Sequence, residues 1–300
     1  MKQNHSVKVR FSIILLLLFS LFALCSCSFN VSFNGDSERA FQKGMLNVHF
    51  LDVGQGDSIF IELPDEKTML IDAGENYHGE GIKNYIGDCG YSKIDYLVAT
   101  HPHSDHIGSM AYIVRNMDIG SAYMPKAAAN TKIYENLLES ISDKGLKITS
   151  AKVGLTIAEE SDYTINVVAP VTIDEDNLNN SSAVIKLTYK DNTFLFTGDA
   201  EKKELETITA DISSDVLKVG HHGSTTSTTE EFPYEVNPTY AVISAGENNS
   251  YGHPHKETLE LLEEFNCRVY STDIDKTVVF SSDGKTISVK SGVKSIEKAG

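Results

Sequence analysis

IDYLVATHPHSDH, residues 94–106, joins an apolar run to a knot of histidines. Residues 94–100 are apolar and β-branched without a helical period, which predicts a buried strand. His101, His103, Asp105 and His106 then fall within six positions. The apolar spacing that follows predicts a helix over 107–117. Groups at strand ends are held by a rigid scaffold, which is where binding chemistry gathers. Imidazole and carboxylate donors suit zinc, manganese or iron. Residues 101 and 103 of an extended turn point the same way, whereas Asp105 and His106 follow the bend and address a second point nearby. Two donor sets imply two metals, about 3.5–4 Å apart in binuclear hydrolases. The plain alternative is a polar loop with surface histidines, and four donor side chains in six positions argue against it.

Working outward, seven of the ten histidines lie in three short stretches: 101–106, His221-His222, and His253 with His255. Each follows an expected strand. Asp199 closes Phe196-Thr197-Gly198-Asp199 after another. A carboxylate there can bridge two cations, one oxygen to each, although Gly-Asp at a strand end is by itself an ordinary turn. The stretch Tyr251-Gly252-His253-Pro254-His255 is an exposed turn on the plain reading. On the chemical reading it carries a proton donor beside the metals.

Other strands are expected at 45–52, 58–63, 68–72, 163–168, 183–189, 193–197, 216–219, 239–244, 268–271, 277–281 and 286–289. Helices are expected near 81–86, 133–144, 201–208 and 256–265. Many strands with helices arriving between them predict an α/β (α+β) fold of two sheets flanked by helices, in one domain over 45–291.

The 300 residues are 41% hydrophobic and 23% charged, which excludes a mainly disordered chain and a polytopic membrane protein. The net charge is −16. Residues 1–27 hold Lys2, Lys8 and Arg10 and no acid, so the rest has 23 bases against 42 acids, or −19. Such a body repels a phosphate backbone at long range. A basic start, an apolar run over 11–23 and small residues after it predict a signal peptide over 1–27, with an uncleaved anchor as the alternative. Leu24-Cys25-Ser26-Cys27 resembles a bacterial lipobox with Cys27 as the lipidated residue. Residues 28–44 read as a linker and 292–300 as a tail. The protein is then expected outside the cell membrane, lipid-tethered or secreted, with no protein partner evident. Cys89 and Cys267 remain as a disulfide pair or two buried thiols.

Together these segments resemble the metallo-β-lactamase fold superfamily. HPHSDH matches its HxHxDH signature, and Leu70-Ile71-Asp72-Ala73-Gly74 matches the strand and turn before it. LDVGQGDS from Leu51, Asn180-Ser181-Ser182, FTGDAE, HHGS and YGHPH are similar to the ComEC-like competence-protein hydrolase branch and to secreted phosphorylcholine esterases, over about residues 45–290. The resemblance implies a four-layer αβ/βα sandwich with two divalent ions, Zn or Mn, at one edge. It implies His101 and His103 on the first metal, Asp105 and His106 on the second, Asp199 bridging, and His221 completing the second site. It favours His221 over His222, and the sequence leaves open which ring turns inward. Many members carry a third histidine on the first metal before the bridging aspartate. Here that segment reads Asn179-Asn180-Ser181-Ser182, so a water or Asn180 would stand in. Asp52 and Asp72 are expected to support ligands or loops.

The implied chemistry is metal-assisted hydrolysis, with Asp105 orienting the attacking water and His253 meeting the departing oxygen, while His255 holds its loop. A phosphodiester, either DNA or an envelope component, is the favoured substrate. The acidic body weakens the DNA version. The competing readings are β-lactam or lactone opening on the same site, which the missing histidine disfavours, and a lipid-tethered binding protein without activity.

Overall fold

A computed structural model describes residues 44–293 and 295–296. The signal peptide, Cys27, all of the linker except residue 44, and most of the expected tail lie outside the described residues.

The first half is a meander of β1 (Leu46–Phe50), β2 (Ile59–Glu62) and β3 (Thr68–Ile71) that continues into parallel strands β4 (Lys93–Val98), β5 (Asp118–Met124) and β6 (Ile148–Ser150). Helices α1 (Gly79–Asp88), α2 (Ser104–Ile107), α3 (Met110–Asn116) and α4 (Lys132–Asp143) make the connections. The second half repeats the plan. β7 (Thr156–Glu159), β8 (Tyr163–Ala169), β9 (Val184–Tyr189) and β10 (Asn192–Phe196) are antiparallel, and β11 (Val216–Lys218), β12 (Tyr240–Ile243) and β13 (Arg268–Ser271) extend β10 in parallel. Helices α5 (Lys202–Leu205), α6 (Glu231–Val236), α7 (Lys256–Glu264) and α8 (Thr272–Asp275) complete this half. β14 (Thr277–Ser282) and β15 (Ile287–Val293) return to the first sheet beside β1.

Alternation along each strand builds the layers. Ile59 and Ile61 of β2 join a core between the two sheets, while Phe60 joins a separate core beneath α1, α3 and α4. Phe194 and Phe196 of β10 enter the same inter-sheet core, and Leu195 packs with Leu205, Phe232 and Leu262 under the helices of the second sheet. Three apolar interfaces therefore separate four layers. Strands buried on both faces read as unbroken apolar runs, which is why they were legible in sequence.

The helix expected over 107–117 breaks into α2 and α3. A Cβ on Gly108 would stand 2.5 Å from Asn76 N and 2.5 Å from Ser104 O. Next to it, Ser109 N donates to Gly74 O at 3.2 Å, and the Ser109 hydroxyl donates to Glu75 O. The chain is pulled onto the loop after β3 there and cannot continue a single helix axis. Cys89 and Cys267 sit in separate apolar clusters under different sheets, so they are not bonded to each other.

Candidate metal centre

Asp72 follows β3, His101 follows β4, Asp199 follows β10 and His222 follows β11, all beyond the carboxyl ends of strands with parallel neighbours. Ligand sites in α/β sheets form at such ends. Both sheets bring theirs to the same place. One donor atom each from Asp105, His106, Asp199 and His222 lies within 4.8 Å of the others.

The first sheet supplies a turn fixed by Asp72. Its carboxylate accepts the Thr100 amide at 2.8 Å and the Thr100 hydroxyl at 2.6 Å, and pairs with His106 Nδ1 at 2.8 Å. That leaves His106 Nε2 buried without a hydrogen-bond partner, 3.2 Å from Asp199 Oδ2. A ring whose outer nitrogen is held by a carboxylate presents its other nitrogen as a metal donor. His101 Nδ1 contacts the Thr100 hydroxyl at 3.1 Å, and its Nε2 stands 3.0 Å from His103 Nδ1. Burial and the charge on His106 hold the His101 pKa well below normal, so this ring is neutral, as a ligand must be.

From the second sheet comes the turn 220–223. His221 and His222 both take left-handed backbone, φ 47° and 53°, and Gly223 follows at 83°. Two non-glycine residues in that region are strained, and such strain gathers at functional sites. The turn throws His222 inward, 2% exposed, with Nδ1 donating to Ser244 O at 2.9 Å and Nε2 at 3.2 Å from Asp105 Oδ2 and 3.4 Å from Asp199 Oδ2.

The chemistry of this set fits divalent cations. Burial works against charge on Asp199 and His106, yet each holds the other ionised. His106 and His222 bring Asp199 well below the usual carboxylate range. Asp199, Asp105 and Asp72 raise His106 well above its ordinary value. Buried carboxylates that demand positive charge, beside an orphaned imidazole nitrogen, are what a metal would satisfy.

Three of the sequence expectations are corrected. His222, not His221, completes the four-donor group. His221 stands at the rim of the cavity outside that group, with Nδ1 3.2 Å from Glu201 and Nε2 3.9 Å from Asp199 Oδ2. Asn180 does not face the donors either. Its amide donates to Asp174 at 3.3 Å, and it lines a different cavity with Glu204. Asn179 faces them instead, its amide 3.4 Å from His221 Nε2. Asp52 sits apart, bonded to Gly54 N and to the Ser295 hydroxyl as a loop fastener. His255 Nδ1 accepts the Thr225 amide at 3.1 Å, in a holding position. Asp199 presents one oxygen, Oδ2, to His101, His106, His221 and His222 at 3.2–3.9 Å, rather than one oxygen to each donor set.

Asp57 and Lys218 were missed. Asp57 lies in the LDVGQGDS stretch, where nothing in the spacing sets it apart from Asp52. Lys218 interrupts an apolar strand, an anomaly that was itself a signal.

A cavity of about 570 Å³ opens over the donors, lined by His103, Asp105, Asp199, His221, His222 and His253, with Gln55, Asn179 and Tyr251 on its walls. No Lys or Arg is among the described residues that line it. Tyr251 stacks on His253 at 5.7 Å between ring centres. Burial and the neighbouring imidazoles push the His253 pKa down to about 4.

With the geometry in place, comparison with known proteins identifies its relatives. The family model described as Metallo-beta-lactamase superfamily matches residues 51–247. The chain is 34% identical over 253 residues to ComE operon protein 3 of Bacillus subtilis, an alignment covering 78% of this chain and 32% of that protein. It is 27% identical over 249 residues to Recombination protein 2 of Haemophilus influenzae, covering 80% and 29%. The chain thus spans about a third of the length of these curated relatives. The solved structure of Igni18, described as a novel metallo hydrolase of Ignicoccus hospitalis, superposes with TM-score 0.51 at 16% identity, covering 79% of this chain and 98% of that one. That likeness bears on the fold alone.

Proposed function

This chain belongs to the metallo-beta-lactamase superfamily, and from that membership we propose an exported, metal-dependent phosphodiesterase. The observation that carries the reading is the gathering of Asp105, His106, Asp199 and His222 from two sheets within 4.8 Å. His106, Asp105, Asp199 and His222 would hold one divalent ion, and His101, His103 and the shared Asp199 the other. Bound divalent ions supply an acidified water and neutralise charge developing on a phosphoryl group.

The chain's own groups do the rest. Positive charge on His106 and His222 outweighs the effect of burial and holds Asp105 below the usual carboxylate range, and bound cations would act on it in the same direction. Asp105 orients the attacking water and accepts its proton. His253 is neutral at pH 7 and faces the cavity, so it meets the departing oxygen as an N–H hydrogen-bond donor, not as an imidazolium. Asp72 and Thr100 keep the His106 ring in register through the cycle. Among the described residues, the cavity walls bring no Lys or Arg. A compact phosphodiester, bound through the ions, therefore suits this site better than a long polyanion gripped along its length. Export follows from the basic and apolar start of the chain, with Cys27 as the lipid attachment point.

Purified protein loaded with zinc or manganese and offered bis-p-nitrophenyl phosphate, single- and double-stranded DNA, a choline phosphodiester and nitrocefin tests the reading. Phosphodiester turnover that Asp199→Ala abolishes supports it. Turnover of nitrocefin alone overturns it.

A further inference from the structure

Lys218 is the one lysine among the described residues with no solvent exposure. It ends β11, and alternation from Val216 turns its side chain into the space between the sheets. A buried amine is costly unless oxygens surround it. Three do so: Asp57 Oδ2 at 2.5 Å, Gly198 O at 2.8 Å and Asp199 Oδ1 at 3.8 Å. Asp57 comes from the opposite sheet, on the loop between β1 and β2. Its carboxylate lies 3.5 Å from His222 Nδ1 and 4.0 Å from His106 Nδ1. The pair therefore touches three of the four gathered donors from behind: Asp199 through the amine, and His222 and His106 through the carboxylate.

We propose that Lys218 and Asp57 are positioning residues that set which oxygen of Asp199 and which faces of His106 and His222 are offered to the metals. Lys218 draws Oδ1 of Asp199 toward itself, so Oδ2 alone meets the imidazoles. Asp72 and Ser244 O hold the outer nitrogens of the two rings, and the Asp57 carboxylate adds negative charge behind them at 4.0 and 3.5 Å, on the side away from the cavity. A neutral group at 218 frees the Asp199 carboxylate to rotate, and leaves Asp57 as an unpaired buried charge that pulls on both rings. The inference rests on the metal-centre reading above, and concerns the placement of the donors rather than the reaction.

The alternative is a tie that holds two sheets together and does nothing else. Lys218→Met and the double variant Lys218→Met/Asp57→Asn separate the two, because the double variant leaves no unpaired charge. Full-length protein is titrated with Co²⁺, reading the dissociation constant, the visible absorption of the bound ion and the melting temperature. The expected result is a double variant that melts near the wild type yet binds Co²⁺ about ten- to a hundredfold more weakly, with an altered spectrum. Wild-type affinity and spectrum in either variant overturn the proposal. So does collapse of the fold in both, which assigns the pair to the fold. Failure of the wild type to bind Co²⁺ sinks the metal-centre reading itself, a result that these variants do not mimic.

Discussion

His222 Nε2 lies 3.2 Å from Asp105 Oδ2, although 117 positions separate them in the chain. One comes from each sheet, so the contact closes the centre. His221, one residue earlier, is the ring left at the rim of the cavity. His222→Ala should therefore lose bound metal and lower affinity by about 10–100-fold or more. His221→Ala should keep its metal. Plasma emission analysis of dialysed protein decides between the two rings, and the reverse pattern would reject the inward orientation of His222.

Asp199 Oδ2 faces His101 at 3.9 Å and His106 at 3.2 Å, and so belongs to both donor sets. His103 serves only one of them. His103→Ala is expected to retain about one divalent ion of two per chain, and Asp199→Ala to retain none. Equal losses in the two variants would mean that the sets are not joined through Asp199.

Gly56 explains part of the GQGD stretch. A Cβ there would stand 2.2 Å from Asp105 O, at φ +131°, on backbone that cannot yield. Asp57 N donates to that same carbonyl at 3.1 Å. Gly54 has positive φ but nothing within 4 Å. Gly54→Ala should cost about 1 kcal/mol and Gly56→Ala about 3 kcal/mol, with metal binding lost in the second. Denaturant midpoints of the two variants check the ordering.

Glu204 gives a pH signature away from the donors. It is 3% exposed, accepts the Ser182 amide at 3.2 Å, and burial pushes its pKa up to about 9. The folded chain therefore carries a proton on Glu204 that the unfolded chain gives up above its ordinary value of 4.5. Stability from this group is full below that value and declines as pH rises through the window up to about 9, by up to about 1.4 kcal/mol per unit. Glu204→Gln mimics the protonated form, so melting temperatures from pH 5 to 9 should fall less steeply than in the wild type. Parallel slopes would show that Glu204 is ionised in the folded state.

Much of this was legible because buried strands announce themselves. The runs at β2 and β3 are buried along their whole length, β1, β4 and β8 to β12 each keep a buried apolar face, and their bounds matched to within a few residues. β5 escaped because Asp118, Gly120 and Ser121 dilute its pattern, and its strand character comes from pairing with β4 on one side and β6 on the other. β6 and β7 are short edge strands with exposed positions, which carry little pattern. In the site, residue types and order pointed to His101, His103, Asp105, His106 and Asp199. The choice between His221 and His222 turns on consecutive left-handed residues, and spacing does not encode a ring's direction. Asn179 and Asn180 differ for the same reason, since the one-turn 3-10 segment at Leu178–Ser181 sends neighbours to opposite sides.

The donors are divided between the two halves of the chain, at 101–106 in one and at 199 and 222 in the other. Neither half alone assembles the four-donor group, although the first half by itself brings Asp57, Asp72 and His106 within the same 4.8 Å. Full-affinity cation uptake therefore requires both halves in place, and it reports their docking better than secondary structure does. Fragments cut between β6 and β7 should each hold the ion more weakly than the two mixed.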